Sequence, residues 1–213
     1  MSSGRARIAA MALALASFLG LSNAVLAAEL KLGATFSLTG GTDDYGRAAH
    51  MGLQLAVKEY NAKGGYKGQP VQIVVYDDET KPQKGVENVT RLITRDKVFG
   101  IVGPINSGVA LAIIDIAQKN EMPLMDTIAT AEQIIDRYAK ASKNYVFRVS
   151  LNDGIQTSFM IDHIKQKGFK RIGLMHDSTG WGQSGRDTAL RLFKDNNLTF
   201  VAGPEVFDQN VPT

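Results

Sequence analysis

Residues Val71–Tyr76 read VQIVVY, a strand written mostly in β-branched residues. A run this apolar fits a parallel sheet covered on both faces. The chain on either side agrees. Upstream, Glu29–Ser37 reads as another strand, and Gly46–Ala62 places Ala49, Leu53, Ala56 and Tyr60 on one helical face. Turn signals, Lys63-Gly64-Gly65 and Lys67-Gly68-Gln69-Pro70, separate that helix from VQIVVY. Downstream, Pro82 sits at the start of a helix whose buried face is Val86, Val89 and Ile93. Phe99–Val102, Pro123–Met125 and Tyr145–Val149 read as strands. Helices at Ser107–Lys119 and Ala131–Ala139 lie between them, the first with Ala110, Ile113, Ile114 and Ala117 inward. Five β-α units in succession predict a doubly wound parallel sheet with helices on both faces.

The pattern then restarts. Ser150–Gly154 is polar, like a linker or crossover. Ile155–Lys167 reads as a helix, Arg171–His176 as a strand, Ser184–Asn197 as a helix and Thr199–Phe207 as a strand. The restart has a local echo. Tyr45-Gly46 opens the first helix of the first half, and Trp181-Gly182 opens the matching helix of the second. Counted from each aromatic, Lys58, Glu59 and Asn61 match Lys194, Asp195 and Asn197. The organisation expected is a segment at 1–27, a first lobe at 28–149 and part of a second at 150–213. Two strands cannot bury helices on both faces, so the second lobe should leave apolar surface and a raw strand edge.

Composition narrows the function. The 213 residues are 44% hydrophobic and 21% charged, and none is cysteine. That excludes disulfides, thiolate metal sites, a cysteine nucleophile and lipid attachment at an N-terminal cysteine. Arg5 and Arg7, an apolar stretch from Ile8 to Leu21 and small residues near Val25-Leu26-Ala27 have the layout of a secretory signal peptide, with cleavage expected after Ala27. The apolar run is shorter than the ~20 residues of a membrane span. Losing the two arginines leaves 22 basic residues (24 less two) against 21 acidic ones. A net charge near +1 gives no electrostatic footprint for nucleic acid.

Ligands of open parallel sheets bind beyond the carboxyl ends of the strands. Three loops of the first half end there: Leu38–Gly46 (LTGGTDDYG), Gly103–Ser107 (GPINS) and Thr127–Ala131 (TIATA). Ser107 and Thr130 read as helix N-caps, Thr130 with Gln133 at capping-box spacing. Two free helix N-termini at one sheet edge would offer N–H groups and hydroxyls to an anion such as a carboxylate. Tyr45, in the glycine-rich first loop, is a candidate wall of the cleft. The spacing Gly180-x-Gly182-x-x-Gly185 spells a dinucleotide fingerprint. Asp177-Ser178-Thr179 intervene after the strand, however, and bulky Trp181 stands where pyrophosphate would approach. These glycines read better as a flexible loop presenting Trp181 to the cleft. His50, His163 and His176 are isolated, without metal-ligand spacing. Ser107 lacks the glycines of a nucleophile elbow. Asp77-Asp78-Glu79 reads as a solvated turn, and Asp43-Asp44 as a helix-start acid pair. No cofactor and no metal are expected.

The stretches GATFSLTGGTDDYGRAAHMGLQLAVKEYNAKGG, VVYDDETKPQKGVENV, GPINSGVALAI and HDSTGWGQSG resemble the periplasmic leucine/isoleucine/valine-binding proteins of ABC transporters. The resemblance covers nearly all of the chain after the leader. It implies a type I periplasmic binding fold, two α/β lobes closing on a ligand that is then delivered to an inner-membrane ABC permease. It implies a periplasmic, non-enzymatic protein. The family's carboxylate-binding serine matches Ser107. Its threonine, which contacts carboxylate and amine, matches Thr130, and the backbone carbonyl for the amine falls near Ile128, with Ala129 between them. Tyr45 matches the first-lobe tyrosine, and Trp181 the second-lobe aromatic, where tyrosine is more usual. The family's amine-binding acid lies later in the second lobe, so the resemblance implies a C-terminally truncated member. The expected ligand is a branched-chain amino acid or a similar small carboxylate or amide, bound by a monomer. Open alternatives are a sensor or aromatic-acid-binding member of the same fold, favoured by Trp181, a non-functional fragment, and a nucleotide-dependent enzyme.

Overall fold

The computed structural model describes residues 30–208. The leader assigned to 1–27 lies outside the described residues. Five parallel strands, β1 (Leu30–Phe36), β2 (Val71–Asp77), β3 (Gly100–Val102), β4 (Leu124–Asp126) and β5 (Val146–Arg148), form one sheet in the order β2-β1-β3-β4-β5. Between them run α1 (Asp43–Ala62), α2 (Pro82–Thr94), α3 (Ser107–Lys119) and the single turn α4 (Gln133–Asp136). A second sheet pairs β6 (Gly173–Asp177) with β7 (Ala202–Phe207), also parallel. It is accompanied by α5 (Asp153–Lys167) and α6 (Gly180–Asp195).

The strand order fixes where the helices go. The chain steps from β1 to β2 in one direction and from β2 through β5 in the other. Right-handed crossovers therefore put α1 on one face and α2, α3 and α4 on the opposite one. The core follows this asymmetry. Under α2–α4, Val89, Leu92, Ile101, Ile113, Ile114, Leu124, Ile134 and Val146 are buried together. Under α1 the buried cluster is smaller, Ala34, Phe36 and Ile105. Helices thus cover both faces as expected, but unequally. The alternate residues Met125 and Phe147 look outward from the thinly covered face.

VQIVVY turns out to be an edge strand. It pairs along its whole length with β1, from Leu30↔Val71 to Phe36↔Asp77, and among the described residues no strand pairs on its other side. Val71 is buried, and Ile73 to Tyr76 are half-buried rather than fully covered. In the second sheet every residue of β7 is exposed, Val206 and Phe207 included. The expected apolar surface is present there.

Candidate functional site

The chain direction reverses between β1 and β3, and the loops leaving their carboxyl ends diverge at that point, the usual crevice of an open α/β sheet. The β1–α1 loop is held from below by β2. Asp77 Oδ1 accepts from Leu38 N at 2.9 Å, and Asp77 Oδ2 from Thr39 Oγ1 at 2.6 Å. Asp78 is 0% exposed and accepts from Ser37 Oγ at 2.6 Å and Thr80 N at 3.0 Å. Within the solvated turn expected at Asp77–Glu79, Asp78 is therefore a buried brace. Burial pushes the Asp78 carboxyl above its ordinary range, against the hydrogen bonds from Ser37, Thr80 and Thr35. Asp77, nearer solvent, ends below that range because its hydrogen bonds outweigh the cost of burial.

Helix α1 starts three residues earlier than the sequence pattern indicates, at Asp43, so Tyr45 lies in its first turn and not in the loop. Asp43 and Asp44 both pair with Arg47. The next residue, Gly46, is buried because a Cβ there would lie 1.9 Å from the carbonyl oxygen of Ser37. The first turn rests directly on the end of β1, and Tyr45 stands out over the crevice.

Ser107 and Thr130 do not cap helices. Asn106 is the N-cap of α3 and accepts from Gly108 N at 2.8 Å. Asparagine outranks most residues at that position, which was the signal available in GPINS. Ser107 Oγ instead accepts from Thr130 N at 3.1 Å and Ala131 N at 3.2 Å, tying the TIATA loop to α3. Helix α4 begins only at Gln133 and is one turn long, so the anticipated pair of free helix N-termini is absent. Thr130 Oγ1 is buried and has no hydrogen-bond partner among the described residues. The loop is shaped by a residue not foreseen from the sequence, Asp126. It is 0% exposed, and its Oδ1 accepts from Ala129 N at 3.1 Å. Burial pushes its carboxyl up to about 7, against the Ala129 hydrogen bond and the charge of Arg148.

Trp181 comes from the second sheet's side, and its helix also starts early. Gly180, Gly182 and Gly185 lie inside α6, not in a flexible loop. Each has its own surroundings. A Cβ on Gly180 would lie 2.4 Å from Gly108 Cα, and one on Gly182 would lie 2.3 Å from Asp177 O, whereas Gly185 faces open space. The first glycine of the fingerprint thus abuts α3 at the place where a pyrophosphate would need to lie.

Tyr45, Ile128, Thr130 and Trp181 line one cavity of about 300 Å³, with Gly41, Thr42, Ile105, Asn106 and Gln156 completing its wall. Sequence reasoning missed these last five. Gln156 sits inside α5, where nothing in the pattern singled it out. Ala129 and Ser107 are not part of the lining. Ala129 is buried, with its N–H on Asp126 and its carbonyl accepting from Ser150 Oγ at 3.0 Å. Ser107 lies beneath the TIATA loop. Contacts from the second half reach Thr130 and the residues just after the TIATA loop. Asp153 N donates to Thr130 O at 2.9 Å, Ser184 Oγ to Asp153 Oδ2 at 3.0 Å, and Arg191 Nη2 to Glu132 Oε2 at 2.6 Å. A larger apolar groove of about 660 Å³ lies between α1 and residues such as Leu30, Val71 and Phe99, at the opposite, amino ends of the strands.

A family model described as periplasmic binding protein matches residues 29–212. The chain belongs to the periplasmic binding protein family. Among curated relatives, the Leu/Ile/Val-binding protein homolog 3 of Brucella melitensis is 28% identical over 189 residues, 88% of this chain and 50% of that protein. Among solved structures, the branched-chain amino acid transporter substrate binding protein LivJ from Streptococcus pneumoniae, in complex with isoleucine, superposes with a TM-score of 0.74. It is 28% identical, with 86% of this chain and 51% of that one covered. A solute binding protein of an ABC transporter from R. palustris, in complex with benzoate, gives a TM-score of 0.73 at 26% identity, covering 86% and 49%. This family member therefore spans about half the length of the relatives it matches. Its α/β fold with a parallel sheet is that of the type I periplasmic binding proteins.

Proposed function

We propose that this chain captures a small carboxylate for an ABC transporter, with a branched-chain amino acid or a similar small acid or amide as the ligand. In this reading residues 28–149 form one lobe and 150–213 part of a second, and the ligand sits between them. Binding draws the lobes together by selecting a closed state, and the loaded protein then docks on a membrane permease. The reading is of a binding protein, not an enzyme. Its family supports that and a periplasmic location, and export by the leader at 1–27 completes the reading.

The observation that carries the proposal is Thr130 Oγ1. A buried hydroxyl without a partner costs about 1–3 kcal/mol, which a ligand oxygen or amine in the cavity would recover. Ser107 Oγ, fully buried beneath the loop, accepts two of its N–H groups, so in this reading it serves the carboxylate by holding the Thr130 loop in place. The Ile128 carbonyl is the acceptor proposed for an amine, and Tyr45 and Trp181 are the apolar walls. A second reading keeps the site and makes the ligand an aromatic acid. Trp181 facing the same cavity as Tyr45 favours it, and a benzoate-bound relative of similar identity supports it.

Trp181 is the one tryptophan of the chain, so its fluorescence reports directly on the cavity. Titration with L-isoleucine and with benzoate separates the two readings. Thr130→Val keeps the shape and removes the hydroxyl. It should weaken the preferred ligand by roughly 5- to 150-fold. Equal affinity in wild type and variant would overturn the assignment.

A further inference from the structure

Helices α3 and α6 belong to different sheets, yet their N-termini meet beside the cavity. Two helix N-termini carry like partial charges and do not approach without compensation. Here both ends are capped by side chains. Asn106 Oδ1 accepts from Gly108 N at 2.8 Å, and Thr179 Oγ1 accepts from Trp181 N at 3.3 Å. The caps are joined to each other, since Asn106 Nδ2 donates to Thr179 Oγ1 at 3.2 Å. Directly behind this bond the two backbones touch. A Cβ on Gly180 would lie 2.4 Å from Gly108 Cα and 2.8 Å from Gly108 N. A Cβ on Gly108 would lie 3.3 Å from Gly180 Cα. Atoms this close belong to backbone, which cannot swing aside as a side chain can.

The contact is adjacent to both walls of the site. Asn106 and Trp181, each next to or two residues from a contacting glycine, line the cavity. We propose that Gly108 and Gly180 set the aperture of the cavity. Their missing side chains let α3 and α6 close to the separation at which Trp181 shares a wall with Tyr45 and Thr130. The inference rests on the cavity being the binding site. It assigns a positioning role to two residues that touch no ligand in that reading.

Alanine suits a helix better than glycine, so Gly180→Ala does not weaken its own helix and isolates the inter-helix contact, whereas at Gly108 the new Cβ also lies 3.1 Å from the Asn106 Oδ1 that caps α3. Gly180→Ala should hold the helices apart, shift Trp181 emission to longer wavelength and raise its quenching by acrylamide, all without ligand. The affinity for L-isoleucine or benzoate, whichever the wild type binds, should drop by about tenfold or more. Gly108→Ala should do the same to a smaller degree, because its nearest inter-helix contact is longer. Gly185→Ala, on the same helix but facing open space, should match wild type. Amide exchange in β3 and β4 of the full chain reports whether each variant is folded. If Gly180→Ala does not fold, Gly108→Ala decides. A folded Gly180→Ala variant with unchanged Trp181 emission and quenching would overturn the proposal. Failure of every variant and of wild type to bind either probe would instead remove the ligand reading, while the quenching order would still decide the aperture.

Discussion

Replacing Asp126 by asparagine keeps the size of the side chain and an oxygen to accept from Ala129 N, and it removes a titrating group from a site with no water access. In the folded protein the carboxyl titrates at about 7, against 3.8 when free, because burial disfavours the carboxylate more than Ala129 and Arg148 favour it. A raised folded value means that the folded chain holds its proton through a range where the unfolded chain has released it. The wild type is therefore at its most stable, as far as this group is concerned, below about pH 4. It loses about 1.4 kcal/mol for each unit of pH up to about 7, some 4 kcal/mol in all, and is flat above. The amide of the Asp126→Asn variant does not titrate, so that variant shows none of this loss. Amide exchange in residues 100–126, measured for both proteins at matched pH, cancels the intrinsic rates. Between pH 5 and pH 8 the variant should become slower than wild type by about 100-fold, the two pH units spent below the folded value. Arg148→Met, which removes the opposing charge, should extend the pH-dependent range upward. A ratio of exchange rates that stays constant from pH 5 to 8 would show that Asp126 is not held neutral, and the account of how the TIATA loop is built would fall with it.

Two further tests address the frame of the site. Gly46→Ala places a methyl 1.9 Å from Ser37 O and should destabilise by about 1–3 kcal/mol, whereas Gly52→Ala in the same helix meets nothing within 4 Å and should stabilise by up to about 1 kcal/mol; urea midpoints for the two variants check both signs. The exposed β7 and the bare edge of a two-stranded sheet should make amides of 173–207 exchange faster than those of β3 and β4 and the chain prone to aggregate, and a single cooperative unfolding transition with a native-like near-UV signal from Trp181 would refute that.

The fold was legible because it is written in long periodic runs. The β-branched strands and the apolar spacing of Ala110, Ile113, Ile114 and Ala117 placed nearly every element within a few residues, and those four side chains are all buried. The site was legible at the level of its loops, and less so atom by atom. Ser107 and Thr130 have the right chemistry for caps, and local spacing cannot reveal that a hydroxyl is engaged instead by N–H groups 23 and 24 residues away. Asp78 reads as a turn residue because its partners, Thr35 in β1 and Ser37 just past its end, lie 43 and 41 residues away. Helix starts were placed late at Tyr45 and Trp181 for one reason: glycines near each start look like loop, and only tertiary contact shows why they are needed.

Those glycines give the short internal repeat its physical meaning. In each half an aromatic residue is followed by a glycine whose Cβ would strike the end of the preceding strand, Ser37 O for Gly46 and Asp177 O for Gly182. The missing side chain lets the first helical turn settle onto the strand. A residue seated that close to the strand end turns its neighbour outward, beyond the carboxyl edge of the sheet. Tyr45 and Trp181 are those neighbours, and they line the same cavity. The two aromatic walls are one construction used twice, once on each sheet. This explains why Gly180, one residue before Trp181, matters: the repeat aims both aromatics at the crevice, and the contact of Gly180 with Gly108 decides how far apart they stand.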